Sequence, residues 1–215
     1  MSDEVQKDFR YELWDTFSDP VCSLTLRRVF LLMLQFHYND PNNYSEFLKP
    51  RLAGKRWSPD AEQSTLLVVL EDLFDPKSPN EGSAIYVGVD ELQFEKKVVG
   101  NSAAQSFDNS QESEVLVART TLTVSHIDRN PDLALALAES TTSLLFGFRK
   151  TLINSLSLLE FDIKKQSKPE PLVRAPDRYF KADMVAGLSF TYGVVTDIES
   201  HRIKKFALEV DPQHA

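Results

Sequence analysis

The chain has 215 residues, with 24 Lys+Arg against 32 Asp+Glu, a formal net charge of −8, 42% hydrophobic residues and 26% charged ones. That length supports one domain with a real core, and the composition excludes a disordered chain. The acidic excess argues against sequence-independent nucleic-acid binding, which draws its affinity from Lys and Arg on phosphates. The single Cys22 excludes an internal disulfide framework and a Cys-based zinc cluster.

The first residues, Met1 to Gln6, are acidic and polar and lack the basic-then-apolar pattern of a secretory signal. The longest apolar runs, Val29 to Leu34 and Leu66 to Leu70, fall short of the roughly 20 residues a membrane-spanning helix needs. The expectation is a protein made and folded in a cytoplasm, with no membrane partner.

The first eighty residues read as mostly helical. Asp19-Pro20 is a helix start, since Asp caps free amides and Pro suits the first helical position. Leu24, Val29, Phe30, Met33 and Leu34 follow a helical period up to His37. Asn39-Asp40-Pro41-Asn42-Asn43 ends that helix. A short helical piece spans Tyr44 to Leu48, and Ser58-Pro59-Asp60 looks like a second cap. Leu66 to Leu70 fits either a helix interior or a buried strand, and periodicity does not decide. Asp75-Pro76-Lys77-Ser78-Pro79-Asn80 is a break. It divides the chain into an N-terminal helical extension, 1–80, packed on a main domain, 81–215.

After Gly82 the pattern turns to strands. Ala84 to Val89 is rich in β-formers, and Leu92, Phe94 and Val98-Val99 suggest a continuation. Residues 100–113 form a polar loop with almost no core residues. A strand runs from Glu114 to about His126, with Leu116, Ala118, Leu122, Val124 and His126 on one side. Asn130-Pro131-Asp132 opens the clearest helix, to about Asn154, with Leu133, Leu137, Leu144 and Phe148 on one stripe, widened by Leu145 and Leu152. Leu158 to Lys164 alternates as a half-buried strand.

The strongest strand signal is Tyr179 to Thr196. Phe180, Ala182, Met184, Ala186, Leu188, Phe190, Tyr192 and Val194 share its even face. Such a length implies an antiparallel arm or a bulge, with Gly187 and Gly193 as natural bulge sites. Ile203 to Val210 reads as a last short strand. The predicted fold class is α+β: a mainly antiparallel sheet with helices packed on it.

The search for chemistry is thin. The sequence has no nucleophile elbow, phosphate loop, dinucleotide fingerprint or metalloprotease helix motif. None of His37, His126, His201 and His214 has metal-ligand spacing to another His or Cys. No catalytic residue, metal or cofactor is therefore assigned. His126 beside Asp128 reads as an acid–base pair or as a half-exposed strand-end histidine. The second reading is favoured, because no partner nucleophile is visible. Cys22, in a first helical turn, reads as inert rather than reactive. Arg149-Lys150 complements a helix C-terminus. Phe107 cannot be buried locally among Ser, Asn and Gln, so it is a loose loop residue or a contact anchor.

Three pieces together resemble the tail terminator (tail-completion) proteins of long-tailed bacteriophages. One is Ala84-Ile85-Tyr86-Val87-Gly88 followed by Leu92-Gln93-Phe94-Glu95-Lys96. Another is Ala118 to His126 leading into Asn130-Pro131-Asp132-Leu133-Ala134-Leu135-Ala136-Leu137-Ala138. The last is Phe180 to Val194, ending in Ser200-His201-Arg202-Ile203-Lys204-Lys205. The resemblance covers a little over half the chain. It implies a non-enzymatic virion protein of the tail or neck, assembled in the host cytoplasm. It implies a ring, a homo-hexamer, that caps the tail tube protein and meets the head-side connector or stopper, with DNA passing through without tight binding. The N-terminal extension is longer than compact members need, so another neck, head-completion or baseplate ring is the alternative.

Open sheet edges fit such a ring, because closed symmetry turns edge pairing into a bounded assembly. Leu188, Phe190 and Tyr192 are the candidate inter-subunit strand. Phe107, Asp108, Asn109, Glu112 and Glu114 are the candidate contact or channel loop. The acids there would repel DNA phosphates over about 8–10 Å. The rival class is a small hydrolase or ligand-binding domain whose His126, Asp128, Glu199 and His201 would have to converge.

Overall fold

The computed structural model describes residues 23–73, 82–95, 104–105, 111–172 and 178–197; at 104–105, 111–116 and 192–197 it describes the backbone alone. Helix α1 is Ser23–Asn39. Its apolar period places Leu26, Val29, Phe30, Met33, Leu34 and Tyr38 in the core. Asp40 then caps a single 3-10 turn, Pro41–Asn43, by accepting from the Asn42 amide at 2.9 Å. The expected helical piece after Tyr44 is a run of turns instead, closed by bonds such as Leu48 N to Ser45 O and Leu52 N to Leu48 O. Asp60 caps only the 3-10 turn Ala61–Gln63.

The ambiguous apolar run is strand β1, Leu66–Leu70, and it pairs in parallel with β2, Ser83–Val89. The break between them therefore separates two neighbouring strands of one sheet, and the stretch before it is not purely helical. Strands β3 (Gln93–Glu95) and β4 (Ala104–Gln105) are short. Strand β5 is Gln111–Asp128, longer at both ends than its sequence pattern indicates. Helix α2 is Pro131–Ser155, followed by β6 (Leu158–Gln166), β7 (Glu170–Pro171) and β8 (Phe180–Asp197). The Cys22 and Asp19-Pro20 positions, Val98-Val99 and the strand expected at Ile203 to Val210 lie outside the described residues.

The main path of the sheet is β1-β2-β5-β8-β6, with β3 and β4 added to β5 and β7 to β8. All pairs except β1–β2 are antiparallel. Helix α1 packs on β1 and β2, and α2 on β5, β6 and β8. Both bury their apolar sides in one cluster with Ile85, Val87, Ala118, Leu122, Phe161, Met184, Ala186 and Leu188. The fold is therefore two layers, α+β, as the sequence pattern indicates.

The buried side of α2 differs from the expected stripe. Ala134, Leu137, Ala138, Thr141, Leu145 and Leu152 are buried, while Phe148 is 47% exposed. Small residues at 134, 136 and 138 let the helix lie close to the sheet, so Leu133 and Leu144 sit at its margin, half-buried. No bulge interrupts β8 against β5; their register runs unbroken from Gln111↔Asp197 to Asp128↔Phe180. The irregularities lie on β6, between Leu158 and Glu160 and between Ile163 and Lys165. Gly187 still answers one of them: the Lys164 side chain crosses the space a Cβ at 187 would occupy.

The ends of α2 make a direct test of local control. Asn130 accepts from the Asp132 amide at 2.9 Å, with Pro131 at the first helical position. Ser157, just past the other end, has φ 50, in the left-handed region that favours Gly. Asn130→Ala should lower unfolding free energy by about 1 kcal/mol. Ser157→Gly should raise it by up to about 1 kcal/mol. Urea melts of both variants measure this, and equal effects of one sign would contradict it.

Candidate functional site

Two polar clusters are buried in the described part of the chain, and both tie separate elements together. The first joins α1 to α2 and to the sheet. His37 Nε2 lies 2.8 Å from Ser140 Oγ. The Tyr38 hydroxyl donates to the Leu137 carbonyl at 2.8 Å and lies 2.9 Å from Thr141 Oγ1. His126 Nε2 lies 2.8 Å from the same Thr141 Oγ1, and its Nδ1 lies 3.0 Å from the Ala182 carbonyl.

The proton positions follow from the acceptors. A carbonyl only accepts, so Nδ1 of His126 carries the proton and Nε2 accepts from the Thr141 hydroxyl. Thr141 gives its one proton to His126, so its oxygen accepts at the Tyr38 contact, and the Tyr38 proton is shared between Thr141 Oγ1 and the Leu137 carbonyl. His126 is completely buried, and burial pulls its pKa down to about 4. The Ala182 bond and Asp183 oppose that shift only in part. Burial alone takes His37 down to about 4. Burial also pushes the Tyr38 phenol well above its usual range, and takes Tyr44 up to about 12, with Asp40 adding to the rise. All four groups are neutral near pH 7.

His126 is therefore not the half-exposed strand-end residue its position suggests. Both ring nitrogens are occupied inside the core, so neither is free to take a proton from a substrate. Nor does it pair with Asp128. That carboxylate belongs to the second cluster, with Lys55 and Ser83. Lys55 Nζ lies 3.1 Å from Asp128 Oδ2, the Ser83 hydroxyl donates to the same oxygen, and Lys55 also donates to Ser83 Oγ. Asp128 Oδ1 accepts from the Asn130 amide at 2.8 Å. The cluster pins the loop before β1, the start of β2 and the entry to α2 at one point. Ser83 is 2% exposed and its proton is committed to a carboxylate, so it has the geometry of a clamp rather than of a nucleophile.

The remaining expected site residues fall differently. Leu188 and Phe190 are buried in the chain's own core. The expectation of a neighbour contact therefore passes from those two side chains to the backbone edge beyond them. Tyr192, Glu112 and Glu114 lie in the strands where backbone alone is described, and Phe107, Asp108, Asn109, Glu199 and His201 lie outside the described residues. Among the described residues no His, Cys, Asp and Glu group could hold a metal, and no helix is long and apolar enough to cross a membrane. Sequence reading missed Tyr38, Lys55, Ser83, Ser140 and Thr141. The one available signal was Ser140-Thr141, two hydroxyls placed at core spacing on an apolar helix.

The edges of the sheet are unequal. Strand β6 is an outer strand carrying two register irregularities and exposed Glu160, Asp162, Lys164 and Lys165, a combination that blocks pairing with another chain. At the other side, the Gln35 amide occupies the Val68 carbonyl of β1 at 3.1 Å. Strand β8 differs: β6 leaves it at Phe190, and from Thr191 to Asp197 it pairs with β5 alone among the described residues. No family model and no curated protein matches the sequence.

Two outcomes test the buried network. Thr141→Val keeps the shape but removes the donor to His126, and should cost about 1–3 kcal/mol in a urea melt. The pH dependence has a definite sign. Unfolded imidazoles take up protons below about 6.5, whereas His37 and His126 in the folded chain do so only near 4. Stability therefore falls as pH drops from 6.5 to 4, by a loss on the order of 3 kcal/mol for each histidine, and these groups add no further loss below that. His37→Gln should flatten the slope in that window relative to the unaltered chain; an unchanged slope would contradict the burial.

Proposed function

We propose that this chain is a ring-forming structural protein of a phage tail or neck, of the tail terminator kind, capping the tail tube and meeting the head-side connector. The observation that carries the proposal is the stretch of β8 from Thr191 to Asp197, which among the described residues pairs with β5 alone, beyond the end of β6 pairing. A strand edge with unpaired N–H and C=O groups recruits another strand, while the blocking features of β6 and β1 limit where that occurs. Closed rotational symmetry uses such an edge without leaving an open filament. The residues behind the resemblance also occupy coherent elements. Ala84 to Gly88 lies in β2, Ala118 to His126 in β5, Asn130 caps α2, and Phe180 to Val194 lies in β8.

The charge balance supports the conduit role. A ring that lets DNA pass must not grip it, and a chain at −8 lacks the cations that gripping needs. Glu112 and Glu114 sit at alternating positions of β5, opposite Thr196 and Val194 of that β8 stretch.

Electron microscopy and mass measurement of the purified protein, alone and with tail tubes, test the reading. Rings, or a monomer that forms rings on tubes, are expected; a strict monomer that never joins a tube overturns it. Proline substitution tests the edge. Hydrogen-bonding directions alternate along a strand, so of Val194 and Val195 one N–H faces β5 and the other faces outward. One of Val194→Pro and Val195→Pro should destabilise the fold. The other should leave the cooperative melt unchanged and abolish rings. Rings that survive both substitutions would exclude this edge.

A further inference from the structure

We infer that the side of α2 formed by Phe146, Arg149, Lys150 and Ile153 is a contact surface for a second copy of this chain, and that it receives the acidic turn Asp90-Glu91 from the opposite flank of the neighbour's sheet. The inference rests on the ring reading for its symmetry and names the surfaces that meet. The receiving surface is one face of one helix. At 100° per residue, its four side chains fall within an arc of about 100°. Phe146 is 68% exposed, Arg149 and Lys150 are exposed, and Ile153 is half-buried at the base. Glu139, two turns nearer the start of α2 on the same arc, bounds the face at that end. Phe148 stands about 200° from Phe146 and belongs to the other side of the helix. The two cations have no carboxylate partner among the described residues. Nor do they serve the helix end, because α2 runs on to Ser155 with no basic residue in its last turn, where the dipole acts. Thr142 lies on the same arc and donates to Gln166 of β6 at 2.8 Å, so the face looks out past the outer strand β6. That is also the flank on which β6 leaves β8 at Phe190.

The opposite flank carries the complement. Asp90 and Glu91 follow β2 on the side of β5 away from β8, and both are exposed. Neither has an ion-pair partner among the described residues. Arg27, which reaches the adjacent Val89 carbonyl, is committed to Asp72. Arg119 is committed to Glu95. The turn therefore presents two carboxylates without cations, and the α2 face presents two cations without carboxylates.

The two surfaces stand at one height on the sheet. The Asp90 amide donates to the Thr121 carbonyl at 2.9 Å, which sets the turn level with Thr121. Gln166 pairs with Met184, and Met184 with Val124, so Thr142 stands level with Val124. From there α2 runs toward Leu158, whose row holds Phe190 and Ala118. Arg149 and Lys150 lie about 10–12 Å along α2 from Thr142. Thr121 lies about 10 Å from Val124 in the same direction along β5. Copies standing side by side without a vertical shift therefore bring one copy's cations to the neighbour's carboxylates. Different surfaces meet in such a contact, so it closes into a ring when each step adds a rotation. The α2 face and the β8 stretch beyond Phe190 share a flank, so one neighbour meets both. Charge pairs of this kind set orientation and encounter rate more than affinity.

Charge reversal in the full-length protein, read by mass measurement and electron microscopy, tests the pairing. Arg149→Glu with Lys150→Glu should leave the cooperative melt in place, because both side chains are exposed. It should raise the protein concentration needed for rings, alone or on tail tubes, by about tenfold or more, since like charges then face each other. Asp90→Lys with Glu91→Lys should do the same. An equal mixture of the two variants should restore rings, with the variants alternating, because each altered surface then meets its altered complement. Where a reversal disturbs the melt, Arg149→Gln with Lys150→Gln and Asp90→Asn with Glu91→Gln should shift assembly in the same direction by less. Rings formed by either altered chain at the unaltered concentration overturn the inference. So does a mixture that assembles no better than its components. The ring reading survives both of those results. An unaltered chain that never forms rings overturns the two together.

Discussion

The antiparallel ladder between β5 and β8 is the constraint on which the other elements depend. It keeps one register over all eighteen residues of each strand. Because side chains alternate, a slip of one residue would turn Ala118, Leu122, Val124 and His126 away from the helices, together with Ala182, Met184, Ala186 and Leu188 opposite them. The other strands build outward from this pair: β2, β3 and β4 along the outer side of β5, with β1 beyond β2, and β6 and β7 along the outer side of β8. The bulged residues of β6 are tolerable because they lie on an outer strand, where displacement disturbs only one neighbour.

The buried polar clusters then set how the helices sit on that ladder. Apolar contacts are nondirectional, so they would let α1 and α2 slide. Thr141 removes that freedom by linking Tyr38 of α1 and His126 of β5 from one position on α2. Lys55, Ser83 and Asp128 fix the opposite entry to α2. Breaking such a group leaves a buried donor or charge without its partner, which costs more than the intact group contributes. The clusters act through specificity of placement more than through net stabilisation.

Long elements were legible because their signals repeat. The period of two along β8, and the Asn130-Pro131-Asp132 cap with a helical stripe of leucines behind it, located β8 and α2 closely. Leu66 to Leu70 was undecidable locally: five apolar residues satisfy either period, and its strand state comes from Ser83 to Val87 lying parallel to it. The role of His126 was hidden for a related reason. A histidine at the end of an alternating strand looks exposed until Thr141, fifteen residues later, folds over it. Lys55 and Ser83 carried no local signal, since their meaning depends on a carboxylate 73 and 45 residues away. Leu188 and Phe190 sit on the core face that their alternation implies, and a residue committed to its own core cannot also present its side chain to a neighbour.

The same ladder explains why folding and assembly can be separate events. Between His126 and Leu122, β5 is flanked by β2 as well as β8, and helices cover the sheet. Farther along, β2 has ended, β6 leaves β8 at Phe190, and among the described residues the short β3 and β4 are what remain beside β5 on that side. A ribbon of two or three strands is by itself marginal in water. The β8 edge that pairs with β5 alone among the described residues is where a further strand would add most. In the proposed ring, the core around α1, α2 and the central sheet would fold first and the ribbon would be completed by a strand from a neighbouring copy. On that proposal, the net charge of −8 would slow indiscriminate pairing between free copies by mutual repulsion.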